Sequence, residues 1–266
     1  KNRFRILFYC FLLMGFLTWP MQSTFAQVRS LTLPASNIDI WVLLDLPRQP
    51  LPNEAASITN QELQAAVNAE FSAYMQAAMN TLLSKVLLSD DLANVNISIV
   101  GLPGPTPIVP YTNFLDDIPE TTRQNFPQVS SQTLLADGMF EVHKRMRDIQ
   151  ENSDQANITA YQLIDPKPSY TFIISPKRYL FKNDQYIQPA QSQEGLIGKT
   201  MASYPNATVI AIELCDQDCA FDANDKHSIM KEIASPVPNA PHKKQYIKIK
   251  PLELAKFFKN NVHFQN

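Results

Sequence analysis

The residues best placed for covalent chemistry are Cys215 and Cys219, which flank Asp216, Gln217 and Asp218 in the run LCDQDCAFD. In an oxidising compartment two cysteines this close form a local disulfide. The chain-entropy model assigns about 2 kcal/mol to so small a loop. A metal reading would recruit Asp216, Asp218, Asp222 or His227, but the second cysteine pair of a zinc site is missing. The run GLIGKT, from Gly195 to Thr200, ends like a phosphate-binding loop. That motif needs a preceding strand and a glycine where Gln193 stands. His143, His227, His242 and His263 show no His-Glu-x-x-His spacing, and Ser36, Ser175 and Ser235 lack the Gly-x-Ser-x-Gly elbow of a hydrolase. Asp45, Asp137 and Glu213 remain as carboxylates able to act as acid or base, without a nucleophile or ligand set beside them. The sequence therefore specifies no catalytic constellation and no cofactor.

The compartment is read from the first residues. Lys1, Arg3 and Arg5 precede the apolar run 6–19, and residues 20–26 (PMQSTFA) place the small side chains of Thr24 and Ala26 before a cut. This is the layout of a secretory signal peptide. As a helix, the run would rise roughly 21 Å at about 1.5 Å per residue, short of a hydrocarbon core about 30 Å thick. Cys10 lacks the small residues that precede a lipoprotein cysteine, so lipid anchoring is not expected. Removing Lys1, Arg3 and Arg5 from 23 basic residues, set against 25 acidic ones, moves the formal charge from −2 to −5. Such a surface is no nucleic-acid footprint. The expectation is a signal peptide over 1–26, an N-terminal extension over 27–36 and one domain over 37–266. The mature protein would be periplasmic or secreted, the periphery of the outer membrane included, with no integral membrane span. Asn96, Asn157 and Asn206 each open an Asn-x-Ser/Thr triplet, and chance is their simplest account.

These residues need a scaffold to position them. The run 38–46 (IDIWVLLDL) is compact, branched and apolar, as a buried central strand requires. Leu63, Val67, Phe71, Tyr74, Ala78 and Leu82 recur at helical spacing and predict a long helix from Asn60 to about Asp90 or Asp91. A strand follows at 95–100. Pro103, Pro105, Pro107 and Pro110 then predict a stiff crossing loop, part of a proline-rich insertion near 101–128. Helices are expected at about 131–150, 193–204, 225–234 and 251–261, and strands at 170–175, 208–214 and 245–250. Strands alternating with helices imply an α/β fold, a largely parallel central sheet with helices on both faces.

The order TVIAIEL, DKHSIMKEIASP, QYIKIK, PLELAKFF resembles the end of a von Willebrand factor A domain. IDIWVLLDLP resembles that family's first strand, and SSQTLLADGMFEVHKRM the segment where a threonine precedes a helix. The resemblance covers most of 37–261 and implies a Rossmann-like three-layer sandwich. In that family two serines, a threonine and two aspartates hold a divalent cation, usually magnesium, whose open position takes a partner's carboxylate. Asp45 matches the first aspartate and Thr133 the threonine. Pro47 and Gln49 stand where the serines belong, Arg48 adds a positive charge, and Ser175, Pro176 and Lys177 follow where the second aspartate is expected. The resemblance thus implies a degenerate metal site, at Asp45, Thr133 and Ser175, that does not hold magnesium strongly.

Two function classes follow. The first is an exported noncatalytic protein-binding or scaffold module with a protein partner in the cell envelope, such as a subunit of a secretion or surface-assembly complex. Its contacts would come from long loops on a rigid sheet. Tyr111, Phe114, Phe126, Tyr179, Phe181 and Tyr186 would supply aromatic anchors, with Arg178 as a polar contact. The second is an exported hydrolase-like enzyme using Asp45 at the carboxyl edge of the sheet.

Overall fold

The computed structural model describes residues 30–45, 58–102, 106–124, 144, 167–175, 207–215, 219 and 228–265. The expected signal segment and the helix at 193–204 lie outside them, and of the helix at 131–150 only Lys144 is described, as helical.

Six strands make the central sheet: β2 (Ser36–Asp45), β3 (Ala93–Leu102), β4 (Thr106–Thr112), β5 (Ser169–Ser175), β6 (Ala207–Leu214) and β9 (Tyr246–Ile249). Their spatial order is β4-β3-β2-β5-β6-β9, all parallel except β4, which runs antiparallel to β3. The expected α/β class and largely parallel sheet are both present.

Side chains alternate across a strand, and the residues of β2 divide cleanly. Ile38, Ile40, Val42 and Leu44 join Ile97, Ile99, Phe172, Ile174, Ile210 and Ile212 in one apolar layer. Helix α1 (Ile58–Leu87) closes that layer with Met75, Ala78, Met79, Leu82, Leu83 and Val86, all buried. Helix α4 (Leu254–Asn260) adds Leu254, Phe257 and Phe258. The Phe172 and Phe258 rings meet edge to face with centroids 5.6 Å apart. On the opposite face, the short helix α3 (Ile229–Ile233) packs on β6 with Met230 and Ile233 buried.

The structure corrects three expectations. Residues 106–112 form an edge strand rather than a crossing loop. Pro107 and Pro110 are tolerated there because an outer strand need not offer every N–H to a neighbour. After it come a 3-10 turn at Leu115–Asp117 and the short helix α2 (Glu120–Gln124). The Arg123 carbonyl of α2 accepts from Gln76 Nε2 at 2.6 Å and Asn80 Nδ2 at 2.9 Å, fixing this excursion to α1. Second, α1 stops at Leu87, before Asp90, where Ser89 and the aspartates start a turn instead. Third, the closing helix begins as a 3-10 turn at Pro251–Glu253 and becomes α-helical only from Leu254.

Two small pairings have no counterpart in the sequence reading. Strand β1 (Leu31–Pro34), inside the expected N-terminal extension, pairs in parallel with β10 (Val262–Gln265). Strands β7 (Pro236–Val237) and β8 (Ala240–Lys244) form a hairpin whose turn places Asn239 at φ 63°, a left-handed geometry that asparagine tolerates.

Lys85, near the end of α1, joins these parts. Its Nζ donates to the carbonyls of Lys259 at 2.9 Å, Phe258 at 3.2 Å, and Val262. A cation on the last carbonyls of a helix also complements its dipole. Burial holds this ammonium below the ordinary lysine range. Lys85→Met keeps the stem and removes the donors. It should lower the unfolding free energy by about 1–3 kcal/mol, the cost of losing charged hydrogen bonds at half-buried carbonyls, measured as a lower urea midpoint at unchanged slope.

Candidate functional site at the carboxyl edge of the sheet

From β2 the chain builds outward through β3 to β4, then returns to the other side of β2 for β5, β6 and β9. The reversal of strand order falls between β2 and β5, and in open α/β sheets the crevice at such a switch point, beyond the carboxyl ends of the strands, is where ligands bind. Asp45 ends β2 and Ser175 ends β5.

Leu44 lies opposite Ile174, so Asp45 and Ser175 are the next residues along two parallel strands. Ser175 Oγ donates to Asp45 Oδ2 at 2.6 Å, and the two residues are 0% and 1% exposed. A buried carboxylate needs such a donor because leaving it unpaired is costly. Of the three degenerate positions, the structure thus brings Asp45 and Ser175 into direct contact, while Thr133 lies outside the described residues. The contact supplies one carboxylate and one hydroxyl, already bonded to each other, whereas magnesium demands near-octahedral oxygen coordination. Among the described residues no group of three or more His, Cys, Asp or Glu could hold a metal ion. The other positions that the resemblance assigns to the cation, Pro47, Gln49 and Thr133, lie outside the described residues.

Two strands along, Glu213 is buried on the same sheet face. Its Oε2 accepts from Tyr246 Oη at 2.7 Å and from Ser228 Oγ at 3.0 Å. Ser175 is opposite Glu213, and Glu213 opposite Lys248, so a polar row runs along the carboxyl ends of β2, β5, β6 and β9. Next to it, Cys215 and Cys219 are disulfide-bonded with Cα atoms 5.6 Å apart. Cys215 N donates to Ile249 O at 3.1 Å, which ties the bridged segment to the end of β9.

Of the expected partner contacts, two are described. Tyr111, on β4, stacks on Trp41 with centroids 5.7 Å apart and donates from Oη to Asp39 Oδ1 at 2.8 Å. Phe114 is 64% exposed just past β4, its N–H donating to Thr112 Oγ1 at 3.0 Å. Phe126, Arg178, Tyr179, Phe181 and Tyr186 lie outside the described residues, as does Asp137. At the amino end of the sheet, Asn96 Nδ2 donates to Asp39 Oδ1 at 3.0 Å and to Tyr111 Oη at 2.9 Å. The Asn96 amide is therefore buried in a structural network. Sequence reasoning missed this network and the donors to Glu213. Only the alternation that puts Asp39, Trp41, Leu43 and Asp45 on one face of β2 hinted at a polar side.

The sheet and its switch-point pair define a doubly wound α/β domain whose candidate site is a hydroxyl-bonded carboxylate rather than a described ligand shell. Similar solved structures include proximal thread matrix protein 1 from the mussel byssus, 15% identical with a TM-score of 0.49, covering 85% of this chain and 47% of that one. The pilus adhesin SpaC from Lactobacillus rhamnosus GG is 10% identical with a TM-score of 0.49, covering 87% and 31%. The vWF domain of the type V pili tip protein Mfa5 from Porphyromonas gingivalis is 9% identical with a TM-score of 0.43, covering 87% and 94%. This chain thus spans about half the length of the mussel protein, at 47%, and under a third of SpaC, at 31%. No protein-family model and no curated protein matches the sequence.

A double-mutant cycle of Asp45→Asn and Ser175→Ala, followed by urea denaturation, should give a coupling energy of about 0.5–3 kcal/mol, as for residues in one hydrogen-bonded pair. Additive effects would mean the pair contributes nothing. Reducing the Cys215–Cys219 bridge should cost about 2 kcal/mol or less, the entropic value for a small loop, measured as the fall in urea midpoint on adding dithiothreitol.

Proposed function

We propose that this protein is an exported, noncatalytic protein-binding module of the von Willebrand factor A type that works in the cell envelope without a metal at its switch point. Export is read from the segment 1–26, and the expected disulfide chemistry agrees with an oxidising compartment. The observation that carries the reading is the Ser175 to Asp45 hydrogen bond. It gives Asp45 a donor on the neighbouring strand, which supports a structural role for this carboxylate. Glu213 is likewise engaged by two hydroxyl donors, which removes support from the reading of the edge as an acid and base pair. Partner contacts then fall to the loops, with Phe114, Phe126, Arg178, Tyr179, Phe181 and Tyr186 as anchors, in a role such as a subunit of a secretion or surface-assembly complex. No helix among the described residues is long and apolar enough to cross a membrane.

The test is affinity capture from the native envelope with and without EDTA, beside calorimetric titration of the protein with magnesium and manganese. The expected result is a partner retained in EDTA, lost in the Phe114→Ala, Arg178→Ala variant, and no saturable metal heat in the micromolar range. EDTA-sensitive capture, or micromolar metal binding abolished by Asp45→Ala, would overturn the reading.

A further inference from the structure

We infer that β1 and β10 form a mechanical clasp: a pull applied ahead of Ser30 and after Gln265 loads the whole strand pair in shear. The two strands are parallel, with Leu31 opposite Val262, Thr32 opposite His263, Leu33 opposite Phe264 and Pro34 opposite Gln265. In a parallel pair, the chain entering at Leu31 and the chain leaving at Gln265 lie at opposite ends. Pulling them apart slides one strand along the other and stretches the cross-strand bonds together. Were the strands antiparallel, the same pull would open them one bond at a time.

Further backbone bonds lengthen the pair at both ends. Leu31 N donates to Asn261 O at 2.6 Å, and Ala35 N donates to Gln265 O at 3.0 Å. Both strands are also rooted. Leu33 and Val262 are 1% and 0% exposed in the apolar layer. The Val262 carbonyl accepts from Lys85 on α1, and the Ala35 carbonyl accepts from Ala93 N of β3 at 3.1 Å. Beyond Ala35 the chain passes directly into β2, at the centre of the sheet. Tension from the two sides therefore meets the clasp before it reaches the sheet.

Single-molecule force spectroscopy on the full chain separates two pulling directions. One protein carries handles at its two ends. The other carries one handle at the N-terminal end and one at Asn260→Cys, with Cys10→Ser leaving a single free thiol. Because Leu31 is opposite Val262, the second arrangement peels β1 from the start of β10. At one loading rate, the end-to-end pull should rupture at a force at least about twofold higher than the peeling pull, since forced unfolding follows the barrier along the pulled direction. The strand pair and the sheet should then be lost in one step. Equal forces in the two geometries, or an early low-force release of β1 alone in the end-to-end pull, would overturn the inference.

Discussion

The burial of β2 beyond its exposed first residues, Ser36 and Asn37, is the constraint on which the rest of the structure depends. Ile38, Ile40, Val42, Leu43 and Leu44 are all 0% exposed. A strand in that position has water on neither face and neither edge, so its backbone groups must be met on both sides. β3 and β5 do this, both in parallel. Parallel neighbours cannot be joined by a tight turn and need a crossover, which is why α1 lies between β2 and β3 in the chain. The switch point between β2 and β5 is a result of that arrangement, and Asp45 stands at it because it is the last residue of the strand.

The parts of the fold that were legible in the sequence are those whose burial is written locally. The run 38–46 is apolar enough to be desolvated on both faces, and the stripe through Ala78 and Leu82 has a helical period that no strand could use. The cysteine pair was legible for the same reason, being local. Strand β4 was hidden because its prolines forbid a central strand but not an outer one. β1 and β10 are four residues each, too short to show a period, and exist only through each other. At the candidate site, the strand-end position of Asp45 was legible through the family resemblance. Its bond to Ser175 joins residues 130 positions apart, and no pattern within either segment announces it.

The two faces of the sheet solve different problems. The face under α1 and α4 is apolar throughout, whereas the other buries Asp45, Asn96, Ser98, Thr171, Ser175, Glu213 and Lys248. Much of this polar set is hydrogen-bonded within the sheet, as with Ser98 Oγ donating to Val109 O at 3.0 Å. Among the described residues, Ser169 Oγ and Thr171 Oγ1 are buried without a hydrogen-bond partner, and a group left so costs about 1–3 kcal/mol. The polar face is thus a source of specificity more than of stability. A one-residue slip of β2 or β6 would carry Asp45 or Glu213 into the apolar layer, so the charges fix the register that the aliphatic residues alone would leave less certain.

Lys85 extends the same logic from register to architecture. A single ammonium on α1 reaches the carbonyls of Phe258 and Lys259 at the end of α4 and of Val262 at the start of β10. Its charge is held at a half-buried place, with an acidity shifted by desolvation, and the Phe258 and Lys259 carbonyls it meets are ones that the helix end leaves without intrahelical partners. The end of α4, the turn into β10 and the long helix over the sheet are therefore held by one group. Because β10 in turn holds β1, and β1 leads into β2, the most buried strand is connected through this lysine to the segment that closes the domain. The apolar layer supplies most of the driving force for folding, but the place where the first described strand meets the last one is set by a polar contact.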